Sequence, residues 1–297
     1  MSTDPIANLQ TLIRCPSVTP AEGGALSALE AMLEPLGFKV DRIVSTDENT
    51  PDIENLYARL GESGPHLMFA GHTDVVPVEG QAWTSDPFRL VRRENRLFGR
   101  GAADMKGFIA CAIEALVAAK DETLSRPLHV AFSYDEEIGC VGVRPMLSEL
   151  AAAGIRPEWV LIGEPTHMQV ATGHKGKTGI RATCRGHAAH SALAPTGLNA
   201  IHLAADMLSG IREMQAEIER SGRRDPDYDV PYTTLHAGVI RGGTALNIVP
   251  DQCDMLFEIR NIAEDDPKTI MDQFFDRAEA IVAPKKNMFP EAAIELE

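Results

Sequence analysis

The 297-residue sequence has no paired cysteines, no basic excess and no long apolar run, and each absence removes a class of protein. Its five cysteines (Cys15, Cys111, Cys140, Cys184 and Cys253) are odd in number and scattered, without a CxxC pair. That pattern is neither a disulfide framework nor a thiolate zinc site, and suits small thiols in a reducing cytosol. Lys and Arg number 28 against 43 Asp and Glu, a net charge of −15. A nucleic-acid partner would want a basic face, so that class is set aside. No apolar stretch approaches the length needed to span a bilayer. The opening MSTDPIANLQ lacks the basic region and apolar core of a secretory signal. The expectation is a cytoplasmic protein with neither a nucleic-acid nor a membrane partner.

What is present is an ordinary folding composition, 44% hydrophobic, in a chain long enough for two domains. Residues 5–14 and 24–36 have helical patterns, the second with Leu26, Leu29, Leu33 and Leu36 in a stripe that Gly37 ends. FKVDRIV (38–44) has the look of a strand. HLMFAGH (66–72), LHVAFSY (128–134) and EWVLIGE (158–164) are short apolar runs, which suit strands buried on both faces. Helical stretches at 105–120 and 143–154 fall between them. The alternation predicts a doubly wound α/β domain with a mostly parallel sheet, over residues 1–174. Beyond it, a strand at 177–186, a helix at 198–220, strands at 232–240 and 246–260, a helix near 267–282 and a strand at 292–297 predict a β-α-β-β-α-β layout, a smaller α+β domain over 175–297.

The three apolar runs end in ionisable residues: His72 and Asp74, then Asp135, Glu136 and Glu137, then Glu164. Sites in open α/β sheets lie outside the carboxyl ends of the strands, so these clusters can converge. Asp104 adds a fourth acid in GRGAADMKG, a glycine-rich turn opening a helix. Singly, each has a plain structural reading: a bonded histidine, a turn aspartate, a helix cap, a solvated loop. Together, carboxylates crowded at buried strand ends repel and call for a positive charge. Histidine plus carboxylates without thiolate suits a pair of divalent ions, zinc, cobalt or manganese. The spacing of two puts His72 and Asp74 on one side of an extended segment, where Asp74 can accept the imidazole N–H turned away from the metal. Asp104 can bridge two ions, Glu137 and Glu164 can each serve one, and Glu136 is left to take a proton from water. That set suits amide or ester hydrolysis.

GHTDVVP, GRGAADMKG, DEEIG and IGEPT, in this order and spacing, closely resemble the M20 family of dinuclear zinc amidohydrolases and peptidases. WTSDPFRL, FSYDEEIGCVGVRPM and TGHKGKTGIRATCRGHAAHSALAP are more narrowly similar to its acetylornithine deacetylase branch, with succinyl-diaminopimelate desuccinylases more distant. The resemblance implies His72, Asp104, Glu137 and Glu164 as metal ligands, Glu136 as general base, Asp74 as the partner of His72, and a non-proline cis peptide after Asp104. It implies that the second domain is an inserted lid that carries a homodimer contact. There, His190 would stabilise the oxyanion in the partner's site, with Asn247, Arg260 and Lys175 at the substrate. A bidentate arginine is the better carboxylate receptor, so Arg260 ranks above Lys175 and Lys177. The expected reaction is deacylation of an N-α-acyl amino acid, foremost N-acetylornithine in arginine biosynthesis. The alternatives are a desuccinylase or another M20 aminoacylase or carboxypeptidase.

One departure qualifies that expectation. Members of the family return from the lid and supply a further histidine ligand, whereas this sequence ends at AAIELE. One metal would then be a ligand short, so a catalytically incomplete fragment that keeps a dimerisation surface is the reading from another class.

Overall fold

Helix α1 (Pro5–Ile13) starts where Asp4 accepts the Ile6 amide at 3.0 Å and Pro5 presets the first turn. It and α2 (Ala25–Leu33) precede β1 (Lys39–Val44), β2 (Glu54–Leu60) and β3 (Leu67–His72). A small hairpin, β4 (Val91–Arg93) with β5 (Arg96–Phe98), leads into α3 (Lys106–Ala119). Then come β6 (Leu128–Ser133), α4 (Val143–Ala152) and β7 (Trp159–Ile162). The computed structural model describes residues 4–44, 54–61 and 64–297, in two compact units, Met1–Val170 and Ala171–Glu297.

The first unit is built on a five-stranded sheet of order β1-β2-β6-β3-β7. Strands β6, β3 and β7 run parallel, while β2 runs antiparallel to both β1 and β6. The sheet is therefore mixed, where the sequence pattern favours a mostly parallel one. The difference lies in β2, whose run ENLYARL hides its strand character behind Asn55 and Arg59. Asn55 is buried, and its amide nitrogen donates to the Gly142 carbonyl at 2.8 Å.

Alternation along β6 divides the interior. Val130 and Phe132 meet Leu12, Leu29, Leu33, Ile109 and Ile113 from α1, α2 and α3. Ala131 faces Met146 and Leu150 of α4, with Tyr57 and Met68 beside it. Each fully buried Leu or Ile contributes roughly 1.5–3 kcal/mol. Strand β7 departs from the expectation of burial on both faces. It is an edge strand flanked only by β3, and Trp159, Val160, Leu161 and Ile162 are all exposed.

Lys106 is the largest side chain fully buried in this unit. Its amine donates to the Leu12 and Cys15 carbonyls at the end of α1, at 3.0 and 2.8 Å. Burial lowers its pKa to about 8. Lys106→Met is expected to cost about 1–3 kcal/mol for each carbonyl left without a donor. A lower denaturant midpoint at unchanged slope is the reading that checks it.

The second unit contains β8 (Thr178–Arg185), α5 (Ala200–Ser221), β9 (Thr234–Gly242), β10 (Gln252–Arg260), α6 (Pro267–Val282) and β11 (Ala293–Leu296), the β-α-β-β-α-β order expected of it. Its sheet, β11-β8-β10-β9, is antiparallel throughout. Ile180, Met255, Phe257 and Ile259 pack on Met207, Ile211, Phe274 and Ala278 of the two helices. Asn199 caps α5 and Asp266 caps α6, each accepting an amide of the first turn. Residues 246–251, expected as strand, form the approach to β10 instead.

Candidate metal centre

His72 closes β3 and is 1% exposed. Its Nδ1–H donates to the carbonyl of Asp74 at 3.0 Å, and a carbonyl can only accept, so Nε2 is the nitrogen turned toward the acids. Nε2 lies 3.0 Å from Asp104, 3.7 Å from Glu164 and 3.8 Å from Glu136. Donor atoms of His72, Asp104 and Glu164 all fall within 4.8 Å of one another, so these three could hold a metal ion.

Local backbone features place each donor. Gly101, at φ +78°, turns the chain ahead of Asp104, where a Cβ would come within 2.7 Å of Val75. The Asp104–Met105 peptide is cis, and the Met105 sulfur accepts the His72 amide at 3.3 Å. Glu164 follows Gly163, where the absence of a Cβ admits the Phe108 ring from α3.

Asp74 does more than sit beside the histidine. Its fully buried carboxylate, 3.4 Å from His72 Nδ1, accepts the amides of Glu136 and Glu137 at 3.1 and 3.0 Å. It thus ties the end of β3 to the turn after β6. Asp135, at φ +56°, accepts the Thr19 hydroxyl at 2.6 Å, which laces that turn to the segment after α1. The Cys140 thiol donates to Glu136 at 3.3 Å. Thr19 and Cys140 carry no sequence signal: one lies 116 residues from its partner, and the other was a scattered cysteine like the rest. Glu137 stands outside the group of three, and its carboxyl is pushed up by burial and by Asp104.

The charges describe a set of anions short of a cation. Burial works against a charged His72, but the Asp74 hydrogen bond and the surrounding carboxylates overcome it and raise its pKa to about 9. Burial, with Asp104 and Glu136 adding to it, lifts Glu164 to about 7 despite the opposing pull of His72. Burial also opposes ionisation of Asp74, yet the bonds from His72, Glu137 and Glu136 hold it below the usual carboxylate range. One imidazole and convergent carboxylates, with no thiolate among the three donors, fit a divalent ion of the zinc or cobalt kind.

The other expected site residues belong to the second unit. His190 caps a short 3-10 turn, its ring accepting the Ala192 amide at 3.1 Å, and bridges to Ile248 beside exposed Asn247. Arg260 is paired with Glu258 at 3.1 Å. The Lys175 amine donates to the Tyr232 carbonyl at 2.6 Å and lies over the Tyr228 ring, and burial lowers its pKa. Both cations are engaged within their own unit.

The profile of peptidase family M20/M25/M40 matches residues 68–284. Among solved structures, an M20 family metallo-carboxypeptidase from Sulfolobus solfataricus superposes with a TM-score of 0.72 at 17% identity, over 100% of this chain and 78% of that one. The dipeptidase Dug1p of Saccharomyces cerevisiae gives 0.71 at 17%, over 99% and 76%. The YXEP protein of Bacillus subtilis, described as a dinuclear metal binding peptidase, gives 0.61 at 17%, over 99% and 72%.

Proposed function

From the premise that this chain belongs to peptidase family M20/M25/M40, and so to a family of hydrolases, we propose that it deacylates an N-α-acyl amino acid, foremost N-acetylornithine, in the cytoplasm. The observation that carries the hydrolytic reading is the convergence of Asp104, Glu164 and Glu136 on the Nε2 of a buried His72. The acyl amino acid is supported by the wording FSYDEEIGCVGVRPM and TGHKGKTGIRATCRGHAAHSALAP.

His72, Asp104 and Glu164 would hold one divalent ion, and Asp104 with Glu137 would serve the second. Ions bound there supply a Lewis acid that polarises the scissile carbonyl and makes a water more acidic. Glu136, half-exposed beside the donors, takes the proton of the attacking water and returns it to the departing amine. Asp74 keeps Glu136 and Glu137 in place through their amides. In the second unit, His190, Asn247 and Arg260 are assigned to the substrate, with Lys175 ranked below Arg260 because a bidentate guanidinium is the better carboxylate receptor. That unit is also assigned the homodimer contact. Among the described residues no helix is long and apolar enough to cross a membrane.

Amine release from N-acetylornithine, measured against N-succinyl-diaminopimelate and a dipeptide with zinc or cobalt added, tests the assignment. Faster release of ornithine is expected, with loss on chelation and return on adding metal. Preference for another of the three would move the substrate within the family. Two bound metal equivalents with no turnover on any substrate would refute the deacylase reading.

A further inference from the structure

A cavity of about 710 Å³ lies at the opposite end of the first-unit sheet from the candidate metal centre. His66, immediately before β3, and His129, at the start of β6, line it, whereas His72 and Asp135 mark the far ends of the same strands. Six residue steps along the strand separate His66 from His72, roughly 20 Å. Lys39, Arg59 and Arg156 complete its polar lining, and among the described residues no Asp or Glu lines it. In a chain of net charge −15 this is a local reversal of sign.

The strand register shows how the positive groups come together. Lys39 pairs with Arg59 across β1 and β2, and Arg59 pairs with His129 across β2 and β6. Directly opposed residues share a face, so all three project to the α4 side in one lateral row. Asp41, one row further along, does not line the cavity. Among the described residues, the side chains of Lys39, Arg59 and Arg156 make neither a hydrogen bond nor an ion pair. A lone lysine on the open edge of β1 would be explained by protection of that edge. Two cations held directly opposite each other, with a third lining the same cavity and Asp41 only diagonal to the pair, weaken the sheet unless an anion joins them.

The histidines add polar capacity that the fold does not use. The His66 ring stacks on His129 with centroids 3.7 Å apart. His66 is 4% exposed and Nδ1 bonds the Gly64 carbonyl at 2.9 Å, while Nε2 is buried without a partner. His129 is fixed through Nδ1 by the Tyr57 hydroxyl at 2.8 Å. The volume falls in the range of small-molecule sites, about 300–1,000 Å³.

We infer that this cavity is a binding site for a small multiply charged oxyanion, of the phosphate or carboxylate kind, held by Lys39, Arg59 and Arg156 and separate from the metal centre. The test is calorimetry on the full zinc-loaded chain at constant ionic strength, with sulfate as the tetrahedral probe, malonate as the dicarboxylate probe and chloride as the background. Saturable uptake of about one equivalent is expected, weakened at least tenfold by Arg59→Gln and by Lys39→Gln, and restored by Arg59→Lys. The exposed Lys39 makes the second variant safe for the fold. Sulfate stabilises many proteins by exclusion from their surface, so only the difference between wild type and variants counts. Preference for sulfate points to phosphate-type ligands and preference for malonate to carboxylates, and either supports the site. Identical isotherms in wild type and both Gln variants would place the anion elsewhere and overturn the inference, as would the absence of saturable uptake of both probes at millimolar concentration.

Discussion

Glu136→Gln is expected to lower kcat on the preferred acyl amino acid by about 10²–10⁴-fold, the usual contribution of a positioned general base. Glu136 lies 3.8 Å from His72 Nε2, beside the three-residue donor group without belonging to it. Its backbone amide is held by Asp74 and its side chain by the Cys140 thiol. Glutamine keeps the size, the backbone bond and an oxygen for the thiol, and removes only the basic oxygen. Metal stoichiometry and unfolding midpoint are therefore expected to stay at wild-type values while kcat collapses. Steady-state kinetics with a metal titration on the same preparation reads both quantities. A variant that turns over within threefold of wild type would move the proton transfer to another group. Loss of metal together with activity would make Glu136 a ligand.

Asp74→Ala is expected to weaken metal affinity by about 10–100-fold, the range found when groups that orient metal ligands are removed. The carboxylate is fully buried and accepts two amides while lying 3.4 Å from His72. Its removal leaves two amide donors without a partner, about 1–3 kcal/mol each where they stay dry. It also frees the turn that presents Glu136 and Glu137. Competition with a chromophoric chelator reads the affinity, and a denaturant titration of the metal-free chain reads the stability. Unchanged affinity with lowered kcat would confine Asp74 to positioning Glu136. Unchanged values of both would leave it no part in the site.

Much of this arrangement is visible in the order of residues, because the relevant rules are local. Apolar runs a few residues long define β3, β6 and β7, and chemistry in such sheets collects beyond their carboxyl ends. His72, Asp104, Glu136, Glu137 and Glu164 could thus be named before any coordinate, as could the helices whose stripes follow a 3.6-residue period. The β-α-β-β-α-β order of the second unit was equally legible, since its strands and helices carry their own periodicities and both helices their caps.

Long-range pairing decided the rest. Thr19 meets Asp135 across 116 residues, and Lys106 reaches the carbonyls at the end of α1 across more than 90. No spacing rule connects such positions, because the sheet and not the chain makes them neighbours. The same holds for the carboxylate of Asp74, expected to serve His72 and found also to accept two amides from another strand end. It holds for β2, whose buried Asn55 obscures the pattern until Gly142 supplies its acceptor. And it holds for Lys39, Arg59 and His129, ordinary residues in three separate segments that strand register sets in a row. Sequence determined which groups could do chemistry and on which elements they stand. Tertiary structure alone determined which buried groups satisfy one another and which are left facing a cavity, because the energy of a polar group depends on the neighbour that desolvates or bonds it.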